Sequence, residues 1–142
     1  MLTVNVLCVG TLKEQYLRDA IAEYSKRISG YARLIIKETK NDRELIPLIK
    51  EKKGYKIALC VEGKQMSSEE LAARIDTLAT SGVSDITLVI GDSDGMGEDV
   101  KSLCDHRLSF SKMTFPHQLM RVILLEQIYR AFTIFNNGKY HK

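Results

Sequence analysis

The sequence predicts an α/β fold: a parallel sheet covered by helices on both faces. Two observations carry this. Segments of period two and period 3.6 alternate along the chain, and Ile86–Ile90 is an unbroken apolar run between Asp85 and Gly91, suited to a strand buried on both faces. With no internal repeat, low-complexity tract or linker, residues 1–142 read as one domain.

Leu2–Val9 alternates as a strand and stops at Gly10. Glu14–Ile28 spaces Leu17, Ala20, Ile21, Tyr24 and Ile28 three or four apart, an amphipathic stripe with Gly30 as its stop signal. Leu34-Ile35-Ile36 is a second strand. A helix is expected over Glu44–Lys53, ahead of Gly54; Pro47 lacks an amide hydrogen, which confines it to the neighbourhood of the first turn. Lys56–Val61 forms a third strand. Ser67 with Glu70 three residues on makes a capping box, so the next helix starts there and runs to Ser81, before Gly82. After Ile86–Ile90 come a short helix over Glu98–Cys104 and a short strand over Arg107–Phe110. The longest helix, His117–Phe135, repeats Leu119, Val122, Ile123, Glu126, Tyr129 and Phe132.

Composition narrows the function. Hydrophobic residues make up 44% and charged ones 27%, which supports a core and argues against disorder. Cys8, Cys60 and Cys104 are an odd set without Cys-x-x-Cys spacing, which fits a reducing compartment. No apolar run approaches the roughly 18 residues of a membrane span, and the N-terminus lacks a signal peptide's basic flank. A soluble cytoplasmic protein without membrane contact is expected. The net charge is +3, but residues 106–142 set Arg107, Lys112, Arg121, Arg130, Lys139 and Lys142 against Glu126 alone. That segment also holds all three histidines, His106, His117 and His141. A basic, acid-poor end suggests an anionic partner, RNA or a nucleotide; a solvated helix face would have the same composition.

In an open parallel sheet, ligands bind beyond the carboxyl ends of the strands. Three segments fall there: Leu59–Gly63, Gly91–Gly95 and Phe110–Pro116. Gly91 lets a flat ligand approach the backbone, although Gly91 and Gly95 also suit a plain turn. Phe110, Met113 and Phe115 can wall an apolar slot, or belong to the core. The Gly91-x-x-x-Gly95-x-Gly97 spacing is neither a dinucleotide fingerprint nor a phosphate loop. No histidine pair has ligand spacing, so no metal is expected. No Gly-x-Ser-x-Gly elbow supports a hydrolase. His117 can cap its helix or pack.

Phe115-Pro116-His117-Gln118-Leu119-Met120-Arg121, Leu125-Glu126-Gln127-Ile128-Tyr129-Arg130-Ala131 and the closing Tyr140-His141-Lys142 resemble the ribosomal RNA large-subunit methyltransferase H family, small SPOUT-class enzymes. Val9-Gly10-Thr11-Leu12-Lys13, Glu62-Gly63-Lys64 and Ser67-Ser68-Glu69 extend the resemblance across the chain. It implies S-adenosyl-methionine-dependent methylation of a pseudouridine at N3, in 23S ribosomal RNA of the assembled ribosome. It also implies a homodimer and a C-terminal trefoil knot. Carried over by position, cofactor contacts fall at Leu59, Gly91, Phe110, Ser111, Lys112, Met113, Thr114 and Phe115. Arg130, Tyr140, His141 and Lys142 become the catalytic and RNA-binding candidates, with His141 as a base.

Two positions depart from the family's pattern. Many members read Gly-Gly where this chain has Gly91-Asp92, and many end in Arg where it has Lys142. Lysine lacks arginine's planar fork for phosphate. Asp92 is the feature that would favour a rival reading, a non-catalytic ribosome- or RNA-binding module on the same fold.

Overall fold

Alternating Val, Leu and Ile segments become strands here because helices cover both faces of the sheet they form. The computed structural model describes residues 1–142. In chain order the elements are β1 (Thr3–Val9), α1 (Gln15–Ile28), β2 (Arg33–Thr39), α2 (Asp42–Glu51), β3 (Tyr55–Gln65), α3 (Ser68–Thr80), β4 (Asp85–Ile90), α4 (Glu98–Lys101), β5 (His106–Ser109) and α5 (His117–Phe135). All strand pairs are parallel, in the order β2-β1-β4-β3-β5.

Residue parity along the strands divides the core in two. Val4, Val6 and Cys8 of β1 and Ile86, Leu88 and Ile90 of β4 pack on one face against Ile28, Leu71, Leu124 and Ile128, from α1, α3 and α5. Leu7, Val9 and Val89 point the other way, to Leu45 and Ile49 of α2 and Val100 of α4. Asn5 also points there, and its amide donates to the Thr87 hydroxyl at 3.3 Å, so both buried polar groups are partnered.

Four elements differ from the periodicity reading. α2 starts at Asp42, two residues early, because Asn41 caps it by accepting the Glu44 amide at 3.0 Å. Pro47 therefore sits in the second turn, not near the first. The one helical bond it removes would run to Arg43, and both residues are exposed. β3 runs on to Gln65, with a register shift against β5 between Leu59 and Lys64. Its polar end stays extended through backbone pairing with β5. Gly63 makes this close approach possible, since a Cβ there would lie 2.7 Å from the Arg107 carbonyl carbon. Finally, β5 covers His106–Ser109 rather than Arg107–Phe110, and α4 ends at Lys101 instead of Cys104.

His106 Nε2 on β5 is buried without a hydrogen-bond partner. Burial, then Arg74 and Lys64, push the imidazole pKa below its ordinary value. A depressed histidine pKa leaves stability intact above the unfolded value and removes it as pH falls toward the folded one. Urea midpoints should therefore drop between about pH 7.5 and about pH 5.5. His106→Leu should flatten that slope; an equal slope in the variant would discount His106.

The path into α5 places the rest. β5 forms one edge of the sheet, yet α5 begins beside β1, where His117 Nε2 donates to the Val9 carbonyl at 3.0 Å. Residues 110–116 thus cross the carboxyl ends of β3 and β4. Arg121 anchors the arrival: it pairs with Glu38 at 2.5 Å and donates to the Gly10 carbonyl at 2.9 Å. The Lys13 amide adds a bond to Gln118 Oε1 at 3.4 Å. The Val9–Lys13 and Phe115–Arg121 motifs, more than a hundred residues apart, meet in these contacts.

Candidate active site

Where that segment crosses the strand ends, it closes one side of a cavity of about 710 Å³. Leu59 to Glu62 supply one wall, Gly91 to Gly97 a second, and Phe110, Ser111, Met113, Thr114 and Phe115 a third. The three segments chosen from the sequence therefore converge. Leu59 to Gly63 lies at the irregularity within β3, not beyond the strand's end. Lys112, exposed, is the one member of the cofactor set that does not line the cavity. His117 and Met120 reach its floor from α5.

The walls are mixed. Ile90, Met96, Leu108, Phe110 and Phe115 are apolar, whereas Glu62, Asp92 and Asp94 bring carboxylates. Glu62 forms an ion pair with Lys101. Asp92 spends one carboxylate oxygen on its own turn, accepting the Ser93 amide at 2.7 Å. Gly91 fits tightly: an added Cβ would lie 2.9 Å from Met96 Cβ and 3.2 Å from Asp42 Oδ1. A side chain there would have to displace Met96 and Asp42, so glycine is what lets the turn pack this closely. Burial raises the pKa of the Cys60 thiol, which keeps it protonated and unsuited to act as a nucleophile.

A second group of candidates gathers around Glu126. Its carboxylate accepts from Arg130 Nη2 at 2.8 Å and from the Tyr140 hydroxyl at 2.8 Å. Arg130 Nη1 lies 2.9 Å from His141 Nδ1, and His141 Nε2 lies 3.3 Å from Glu69 on α3. The Tyr140 ring meets Tyr129 edge-on at 4.8 Å and lies under the Arg130 guanidinium at 4.9 Å. The tail is therefore docked. Arginine has only donors, so His141 Nδ1 accepts and its proton sits on Nε2, facing Glu69. Burial and the Glu126 carboxylate push the Tyr140 phenol far above its ordinary pKa, so it remains a donor. The hydrogen bond to Glu126 raises the pKa of Arg130 further. Lys142 is exposed.

Arg130, Tyr140 and His141 thus come together, but none of them lines the cavity of about 710 Å³. A smaller pocket of about 190 Å³ lies between, sharing Leu108, Phe110 and Phe115 with the larger one and adding Ser68 and Gln127. Sequence reasoning missed Glu126 as a site residue. Its signal was present: the one acid in a basic segment, four residues before Arg130.

Comparison with known proteins identifies the family. A family profile described as "Predicted SPOUT methyltransferase" matches residues 2–141. Ribosomal RNA large subunit methyltransferase H of Clostridium novyi is 49% identical, over 99% of this chain and all of its own. The protein of that name from Bifidobacterium adolescentis is 48% identical, over 98% and 99%. That of Fusobacterium nucleatum is 41% identical, over 99% and 100%. Among solved structures, a probable methylase family protein from Haemophilus influenzae superposes with a TM-score of 0.57 at 10% identity, covering 96% of this chain and 67% of that one. It supports the fold alone. The parallel α/β sheet and the whole-length likeness lead to one conclusion: the chain belongs to the SPOUT methyltransferases, within the ribosomal RNA large subunit methyltransferase H family.

Proposed function

We propose that residues 1–142 act as one domain, an S-adenosyl-methionine-dependent methyltransferase that modifies N3 of a pseudouridine in 23S ribosomal RNA of the assembled ribosome. The observation that carries the reading is the convergence of three backbone segments on one cavity, with Gly91 among the lining residues. Its volume lies in the range of small-molecule sites, and its apolar walls suit an adenine ring. Leu59, Gly91, Phe110, Ser111, Met113, Thr114 and Phe115 hold the donor in this reading, with Lys112 at the rim. No group of three or more His, Cys, Asp or Glu is placed to hold a metal ion. Bound S-adenosyl-methionine supplies a methyl group on a sulfonium.

Catalysis by the chain is then positioning plus control of one proton. N3 of the acceptor carries a hydrogen whose loss leaves an imide anion, and Arg130 is the cation suited to stabilise it. His141 can accept the proton at Nδ1 only after Arg130 Nη1 leaves that nitrogen, which a turn of Nη1 toward the developing imide anion would bring about. Tyr140, kept protonated, donates or stacks, and Lys142 contacts phosphate. The pocket of about 190 Å³ between the two groups offers the acceptor base a place beside the donor.

A cytoplasmic homodimer belongs to this reading. Leu119, Val122 and Ile123 of α5 are left half-buried, which supports a second copy on that side. The C-terminal knot belongs to it too, supported by the crossing of residues 110–116. No helix is long and apolar enough to cross a membrane.

Calorimetry with S-adenosyl-methionine tests the donor site: saturable binding by the full chain is expected, and a flat titration contradicts it. His141→Ala should slow single-turnover methyl transfer by on the order of 10²-fold. An unchanged chemical step would remove the base assignment.

A further inference from the structure

We propose that Asp42, which does not line the cavity, is a positioning residue for donor binding: it holds the Gly91–Gly97 turn in its binding shape. This rests on the reading of the cavity as a methyl-donor site.

Both carboxylate oxygens of Asp42 are committed to the turn. Oδ1 accepts the Asp92 amide at 2.9 Å and Oδ2 accepts the Gly97 amide at 3.0 Å. These amides stand at the two ends of the turn, so one side chain pins both. A carboxylate accepting two backbone N–H groups forms charge-assisted bonds, stronger than neutral ones. Between the pinned ends, the Gly95 amide returns to the Asp92 carbonyl at 2.9 Å, and Gly95 takes a φ of 105°. Every residue from Gly91 to Gly97 lines the cavity, so its wall has the shape that Asp42 imposes.

The support behind Asp42 is rigid. It is the first residue of α2, whose start is capped by Asn41 and whose Leu45 and Ile49 are fully buried. The far end of the clamp matters as well. The Gly97 carbonyl accepts the Val100 and Lys101 amides, which begins α4. Lys101 in turn pairs with Glu62, and both line the cavity. Asp42 thereby fixes the spacing between the Gly91 wall and the Glu62 wall without touching the ligand.

The test compares wild type, Asp42→Asn, Asp42→Ala and Asn41→Ala by calorimetry with S-adenosyl-methionine, donor-dependent kinetics and amide hydrogen exchange. Asp42→Asn keeps one acceptor and should raise donor Kd and KM about tenfold, with Asp42→Ala worse and kcat at saturating donor nearly unchanged. Exchange at the Asp92 and Gly97 amides should accelerate in both variants. Asn41→Ala weakens the same helix but leaves the clamp, so its donor Kd should match wild type. Wild-type donor affinity in the Asp42 variants, or an equal loss in Asn41→Ala, overturns this inference alone. A wild type that does not bind the donor overturns the donor site and this inference together.

Discussion

Glu38→Ala should destabilise the fold by about 3 kcal/mol, because it leaves a buried guanidinium without its counter-charge. The Arg121 side chain is 4% exposed, whereas Glu38 is 39% exposed. Removing the carboxylate strands the less accessible partner, and the Gly10 carbonyl is then its remaining acceptor. Water entering where Glu38 stood relieves part of the loss, which sets the expectation at the lower end of the range for broken buried pairs. Urea unfolding of Glu38→Ala and of the double variant Glu38→Ala/Arg121→Leu separates charge from packing. The double variant should recover most of the lost stability, since it buries no charge. A single-variant loss below about 1 kcal/mol would mean that the pair behaves as a solvated surface contact. The functional consequence follows from position: Arg121 fixes α5 against the end of β1, and His117, one turn earlier, forms part of the cavity floor.

Glu126→Ala should reduce single-turnover methyl transfer by on the order of 10²-fold while leaving donor affinity within about twofold. Glu126 holds the Arg130 guanidinium through Nε and Nη2, leaving Nη1 for His141, and the same carboxylate seats Tyr140. Without it, Arg130 and Tyr140 lose their common anchor, and His141 loses the fixed guanidinium it bonds to. The donor cavity shares no residue with this cluster, so binding and chemistry should separate. Glu126→Gln keeps an acceptor for Tyr140 but loses the charge opposite Arg130, and should fall between Ala and wild type. Equal rates in all three proteins would make the cluster a structural tie only.

Most of the architecture was legible because it is local. The β1 alternation, the α1 stripe, the Ser67–Glu70 capping box and the buried β4 run each occupy one short stretch, and each appears where its pattern stands. One miss has a tertiary cause and one a local cause. The polar end of β3 is extended by pairing with β5, which nothing in Glu62–Gln65 itself announces. For α2 the Asn41 and Glu44 cap signal was present, but Pro47 moved the expected start past it; exposure makes its lost bond tolerable.

The candidate site divides the same way. Strand-end logic accounts for the Gly91–Gly97 and Phe110–Phe115 walls, because a parallel sheet gathers its carboxyl-end loops, whereas the Leu59–Glu62 wall comes from the irregularity inside β3. The tail was different. His141 meets Glu69 and Arg130 only through the fold, so its docked state and its tautomer were not readable from Tyr140-His141-Lys142. Asp42 reaches Asp92 and Gly97 from fifty or more residues away, and no spacing rule connects them.

Methyl transfer by this chain can be tested directly in one assay. Full-length protein is incubated with isotope-labelled S-adenosyl-methionine and assembled ribosomes from cells lacking it, and the 23S RNA is mapped by mass. One labelled methyl at N3 of a single pseudouridine is the predicted result. Label elsewhere would contradict the assigned acceptor, and RNA left unlabelled by a chain that binds the donor would contradict catalysis itself.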